Sequence, residues 1–328
     1  MAKYKDIKAV CFLASTYSML LYLLVYGKEQ FESTFFFVSD AISEEVQKKM
    51  KYKKCLSYLK MIRKPYLMRV LYRFGLYCTS YFRWSFLKKL PIYGGDHLWF
   101  TPALLRKRTM VVLEDGLANY DINEITRTTN LHPKWLYKLL YGPIMGEGEY
   151  GYPRQSKKVV MTGIDEIPQC VKNKATVIDL NKMWNQSEAQ EYIKYLFDFD
   201  NEDISMLKGK KVIILTQPYN QDVGDDVMIN IYGDIIAKYQ PEDVLLKTHP
   251  RDSIDYAKVF PNITVYSRKL PAELFALVGI HFDDVYTIDS TAIYSFPKDS
   301  RLHYLGLECH PRLEEQYGKS TIKGPSSN

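Results

Sequence analysis

Three short motifs in this 328-residue chain bring together side chains that can move a proton and hold a phosphate. The first is Glu114-Asp115-Gly116. Adjacent carboxylates raise each other's pKa, which suits a base that must take a proton near neutral pH. The glycine behind them marks a turn with close backbone approach. The second is His249-Pro250, flanked by Lys247 and Arg251. A histidine can act as an acid near pH 7, and proline fixes the turn and removes a competing donor. The two cations suit a phosphate or a carboxylate. The third is Ser290-Thr291, hydroxyls where a helix is expected to begin, with free N–H groups ready for a phosphate. Taken singly, each also reads as ordinary structure: a strand-ending turn, a capping histidine in a basic loop, a helix N-cap.

Order and separation add to the motifs. From Asp115 to His249 is 134 residues, and from His249 to Ser290 is 41. An acid in the first half is thus set against a phosphate site in the second. That arrangement suits a transferase bridging an acceptor and a nucleotide-sugar donor across a cleft.

The elements that must carry these motifs are short apolar runs alternating with helical stretches. Strands are expected at residues 9–13, 34–39, 110–113, 158–161 and 176–180, then at 211–216, 243–248, 263–266, 285–288 and 302–305. Several are Val/Ile/Leu-rich without alternation, as strands buried on both faces should be. The alternation argues for α/β units with parallel sheets, and each motif follows a strand, where open α/β sheets place their ligands. The polar, acidic segment 184–211 separates the two sets of strands. The expected domains are residues 1–180, on the acceptor side, and 181–328, on the nucleotide side. The tail 318–328 is Gly/Ser/Lys/Pro-rich and expected to fray.

Composition narrows the classes. With 46% apolar and 25% charged residues the chain can bury a core and is not disordered throughout. Five scattered cysteines with no CxxC pair give neither a disulfide framework nor a zinc site, and they suit a reducing, cytoplasmic compartment. The apolar stretch 9–27 is interrupted by Ser15, Thr16 and Ser18, so it reads as a strand, a turn and a helix rather than a membrane span. The formal charge is +6; the 13 Lys/Arg and absence of Asp/Glu between Lys48 and Lys89 leave a net −7 elsewhere. Within that block Leu67, Val70, Leu71 and Phe74 share a helical face. Either the face packs on the core and the cations are merely solvated, or the block meets an anionic membrane or glycolipid. No nucleic-acid-binding motif accompanies the charge.

The ordered set Glu-Asp-Gly, Lys-x-His-Pro and Ser-Thr resembles the bacterial sialyltransferases of glycosyltransferase family 52, with kinship to bacterial polysialyltransferases. The segment Leu270-Pro271-Ala272-Glu273-Leu274-Phe275 is similar to the family's stretch between its last two motifs. The resemblance spans residues 114 to 291. It implies a GT-B fold of two Rossmann-like domains, a CMP-sialic acid donor and a sugar acceptor, with terminal galactose the usual one. It implies inverting transfer in bacterial surface polysaccharide or lipooligosaccharide synthesis, with no cofactor and no divalent metal, by a homodimer. By the same resemblance Asp115 is the general base, His249 assists the departing CMP phosphate, and Ser290 and Thr291 hold it. Glu273 holds the cytidine, and Glu114, Gly116, Lys247 and Pro250 complete the donor set. Asp222, in the loop 216–222, is a second candidate for the base, with Asp225 or Asp226 behind it. Other readings stay open: a glycosyltransferase of the same fold using a UDP-hexose or CMP-Kdo, or a non-catalytic, membrane-associated protein of polysaccharide assembly. Asp198-Phe199-Asp200 matches the metal-binding DxD of other glycosyltransferases but falls in the acidic segment, where a solvated linker is expected. His97, His132, His281, His303 and His310 show no ligand spacing.

Overall fold

The computed structural model describes residues 4–320, so most of the tail expected to fray lies outside the described residues. The chain divides into two compact units, Met1–Leu196 and Phe197–Asn328. Each contains one parallel sheet.

The first sheet has seven strands: β1 Ala9–Leu13, β2 Thr34–Val38, β3 Tyr52–Cys55, β4 Ile92–Gly94, β5 Met110–Leu113, β6 Ser156–Met161 and β7 Ala175–Val177. Their spatial order is β3-β2-β1-β4-β5-β6-β7. The order reverses between β1 and β4, which makes the carboxyl edge of those strands the place where a doubly wound sheet leaves a crevice. The runs AVCFL and TFFFV are buried at every position, because helices cover both faces of the parallel sheet.

The expected strands recover this sheet except for β3 and β4. The sequence of β3, YKKC, carries two lysines because it lies at the sheet edge, where one side is open to solvent. β4 is only Ile-Tyr-Gly, yet it lies at the centre of the sheet. Its glycine is obligatory: Gly94 has φ 106°, and a Cβ there would sit 2.0 Å from the carbonyl oxygen of Phe12.

The second sheet has five strands: β8 Val212–Leu215, β9 Val244–Lys247, β10 Thr264–Tyr266, β11 Asp284–Thr287 and β12 Arg301–Tyr304. The order β10-β9-β8-β11-β12 reverses between β8 and β11. Val212, Ile214, Leu246 and Ile288 form its core with Tyr232 and Tyr256.

The division at 196/197 falls beyond residue 180 because the segment between the sheets is not a linker. Helices Leu180–Gln186 and Gln190–Leu196 bury Trp184, Ile193 and Leu196 within the first unit, as the turn between them buries Ala189. The Asp198–Asp200 segment opens the second unit instead of bridging in solvent. Phe199 is buried against Phe275, and Asp200 caps helix Asn201–Leu207 in a reciprocal pair with Asp203.

Among the described residues no helix is long and apolar enough to cross a membrane. All five cysteines are free.

Candidate active site

In the first unit, three loops leave the carboxyl ends of β1, β4 and β5, which are neighbours in the sheet. Each brings one polar side chain to the same point. Ser15, after β1, caps helix Thr16–Glu32 by accepting from the Ser18 N–H at 3.1 Å, and it donates its hydroxyl proton to Asp115 Oδ1. His97, after β4, places Nε2 3.2 Å from Asp115 Oδ2. Asp115 itself follows β5, and its backbone N–H is bound by Asn119 Oδ1 at 2.8 Å. Both carboxylate oxygens are therefore engaged while the side chain keeps 18% of its surface exposed.

His97 is held in its turn. Its ring stacks on Tyr150, centroids 4.4 Å apart and 17° from parallel. Asp96 Oδ2 accepts from the Gly151 N–H and the Ser156 hydroxyl, both at 2.8 Å, and so fixes the loop bearing Tyr150. Burial pulls the His97 pKa down. The hydrogen bond and charge of Asp115, joined by Asp96 and Glu149, outweigh burial and leave it above its ordinary value.

Glu114 and Asp115 point to opposite sides of the strand end, and the two carboxylates divide their roles accordingly. Glu114 has no exposed surface. Tyr17, Tyr120 and Thr162 hydroxyls donate to it at 2.7 to 2.8 Å, and the Thr162 N–H donates at 2.6 Å. Burial raises its pKa, against those four bonds. Its shift thus comes from desolvation and not from Asp115, and the structure places it inside the loop framework, not at a donor-facing surface. Gly116 follows with φ 119°, a conformation that only glycine adopts without strain.

In the second unit, the ends of β9, β8 and β11 lie side by side and carry His249, Thr216 and Ser290. The His249 backbone N–H donates to Thr216 Oγ1 at 2.9 Å, and that hydroxyl donates to Asp252 at 2.7 Å. His249 Nδ1 accepts from the Arg251 N–H at 3.1 Å. In the neutral ring the proton therefore sits on Nε2. Burial, with the charges of Arg251 and Lys247, lowers the His249 pKa to about 3. The expectation of a histidine acid near pH 7 gives way to a neutral ring that can donate a hydrogen bond from Nε2. A cavity of about 320 Å³ opens beside it, lined in part by Pro250, Ser253, Ser267 and Lys269.

Lys247, expected to offer charge to a phosphate, is 3% exposed and donates to the Thr248 carbonyl at 2.8 Å. Burial lowers its pKa to about 7 while the charge of Glu273, itself buried, pushes the other way. Ser290 caps only a short 3-10 turn, Thr291–Ser295, by accepting from the Ala292 N–H at 3.3 Å. Asp222 is exposed on the short helix Asn220–Val223, where the Tyr317 hydroxyl donates to it.

The model of glycosyltransferase family 52 matches residues 87–309, about two thirds of the chain. The chain belongs to glycosyltransferase family 52. An uncharacterized protein of Haemophilus influenzae is 30% identical over 236 residues, 71% of this chain and 73% of that one. Among solved structures, the GT-B domain of a sialyltransferase from Photobacterium damselae matches with TM-score 0.53 at 13% identity, over 90% of this chain and 89% of the other. An α/β-galactoside α-2,3-sialyltransferase from Photobacterium phosphoreum matches with TM-score 0.51 at 12% identity, over 90% and 88%. At such identity these likenesses establish the GT-B fold. The family 52 match takes in His97, Asp115, His249 and Ser290, while Ser15 precedes it.

His97 and Ser15 are the site residues that sequence reading passed over. His97 follows a strand of three residues, so nothing marked it as standing at a strand end. Ser15 was legible as the turn before a helix, but its partner lies 100 residues away.

Proposed function

We propose that this family 52 glycosyltransferase moves sialic acid from CMP-sialic acid, with inversion, onto a sugar hydroxyl, terminal galactose being the acceptor. The observation that carries the reading is the Asp115 carboxylate, gripped by Ser15 and His97 at the switch point of the first sheet yet still open to solvent. In the step itself Asp115 takes the acceptor hydroxyl proton. The acceptor oxygen bonds to the anomeric carbon, and the bond from that carbon to the phosphate oxygen breaks.

The acceptor-side chemistry belongs to the first unit and the leaving-group chemistry to the second. His249 donates its Nε2–H to the departing CMP phosphate, and Ser290 and Thr291 bind the same group. Stabilising that developing charge with fixed donors requires no metal ion. The DxD-like Asp198 and Asp200 are not part of this scheme, since Asp200 is committed to its helix cap. Both Photobacterium enzymes are named sialyltransferases, which supports sialic acid as the group transferred, and one is named for a galactoside.

The test is incubation with CMP-sialic acid and lactose, with and without EDTA, followed by mass spectrometry. Sialyl-lactose is expected in both tubes. Transfer from a UDP-hexose or CMP-Kdo in place of CMP-sialic acid would overturn the donor. Turnover lost to EDTA and restored by manganese would overturn the metal-free scheme.

A further inference from the structure

The loop 146–153 holds one side chain against the site in a conformation that side chain disfavours. Tyr150 has φ 53°, in the left-handed region where a bulky residue is a rare outlier. Such a residue persists only where its surroundings over-determine it, and outliers of this kind collect at functional sites. Tyr150 is restrained on both sides. Before it, the Glu149 N–H donates to the Ile125 carbonyl at 2.9 Å, and the Glu149 carboxylate accepts from Arg127 at 2.8 Å. After it, the buried Asp96 takes the Gly151 N–H, and Lys174 Nζ donates to the carbonyls of Gly151, Tyr152 and Pro153 at 2.8 to 3.0 Å.

These restraints present a phenol. The Tyr150 ring lies flat on His97, and only 8% of the residue is exposed. Its hydroxyl makes no hydrogen bond among the described residues, yet it is not sealed from solvent. The other polar groups around Asp115 are committed. Ser15 and His97 bond to Asp115 itself, and Tyr17, Tyr120 and Thr162 bond to Glu114. Asn119 has an unpaired amide nitrogen, but that residue has no exposed surface. Burial of Tyr150, then the charges of Asp115 and Glu149, raise the phenol's pKa, so it keeps its proton at neutral pH and can donate.

An acceptor sugar needs a donor of this kind. An ionised Asp115 only accepts, so by itself it holds the acceptor through the one hydroxyl it deprotonates. A single contact leaves the sugar free to turn, whereas transfer requires the reacting oxygen to be aligned. We propose, resting on the role given to Asp115, that the Tyr150 hydroxyl donates to a second oxygen of the acceptor sugar and so fixes which hydroxyl meets Asp115. The left-handed backbone at Tyr150 aims the phenol at that oxygen.

Steady-state kinetics with varied lactose tests it. Tyr150→Phe keeps the ring and its stack on His97 and removes only the donor. Acceptor KM should rise about three- to tenfold, the effect of losing one neutral hydrogen bond, while kcat falls much less. The rise in melting temperature given by CMP should match that of the unaltered protein. Monodeoxy lactosides supply a readout that a merely structural residue would not move. One of them should lose a similar factor with the unaltered enzyme and almost nothing further with Tyr150→Phe. The proposal is overturned if acceptor KM in Tyr150→Phe stays within about twofold, or if every deoxy penalty persists in that variant. Asp115→Asn, run alongside, separates this failure from failure of the base assignment. A nearly inactive Asp115→Asn beside an unimpaired Tyr150→Phe strikes Tyr150 alone, while an active Asp115→Asn strikes the base and the Tyr150 proposal with it.

Discussion

At the scale of single residues, the site separates two aspartates that sequence alone left as rivals. Asp115 has both oxygens held and stands at a strand-end crevice, whereas Asp222 is an exposed helix residue tied to Tyr317. Asp115→Asn should lower kcat by at least about 10²-fold with CMP affinity little changed, while Asp222→Asn keeps most of its turnover. The reverse outcome in steady-state kinetics would move the base to Asp222. His97 gives a second, independent readout. Its pKa lies above the ordinary value, so the imidazolium survives above pH 6.5 and its contribution to stability is lost only as pH rises through that raised pKa. While charged, it holds Asp115 in an ion pair, and kcat should climb as it loses its proton. His97→Gln keeps a donor to Asp115 but cannot be charged, so the rising limb should shift to lower pH with KM nearly unchanged. His97→Ala, lacking the donor, should lose substantially more kcat. Identical pH profiles for the unaltered enzyme and His97→Gln would reduce His97 to a packing residue.

At the scale of elements, the first unit depends on a strand of three residues. β4 brings His97 beside Asp115, and it fits between β1 and β5 only because Gly94 lets the Phe12 carbonyl approach. Gly94→Ala combines a 2.0 Å clash with backbone and a positive φ of 106°. It should destabilise the protein by at least about 3 kcal/mol in urea unfolding, where most substitutions cost about 1. A loss under about 1 kcal/mol would show that β4 can shift, and that the His97–Asp115 contact does not rely on its position. The two elements absent from the sequence reading were hidden for different reasons. β3 is an edge strand and carries lysine where a buried strand would carry valine. β4 is too short to produce a periodicity.

At the scale of the whole molecule, the two units share one plan, a parallel sheet whose strand order reverses beside its innermost strand. The proposed function puts the nucleotide in the second unit, where Glu273 is buried near Lys247. A carboxylate can accept from the cytosine amino group, and uracil offers no such donor. CMP should therefore raise the melting temperature clearly more than UMP at equal concentration. Equal shifts in a thermal melt would remove Glu273 from base reading and leave its carboxylate as the partner of Lys247.

The amino-acid sequence by itself determined ten of the twelve parallel strands, β3 and β4 excepted, since uninterrupted apolar runs can be satisfied in few other ways. It also determined that Asp115, His249 and Ser290 stand at strand ends, because each follows such a run directly. What only the tertiary structure decided are relations between distant residues. Glu114 and Asp115 are neighbours in sequence, yet one is sealed behind four hydrogen bonds and the other left open, and those bonds come from residues 17, 120 and 162. The neutral state of His249 follows from its burial beside Arg251 and Lys247, which no local pattern records. The apolar face of helix Tyr66–Arg83 was legible from its spacing, but periodicity carries no sign. Whether such a face turns toward the core or the solvent depends on what the rest of the chain packs against it, and here the chain packs against Ser80 and Arg73.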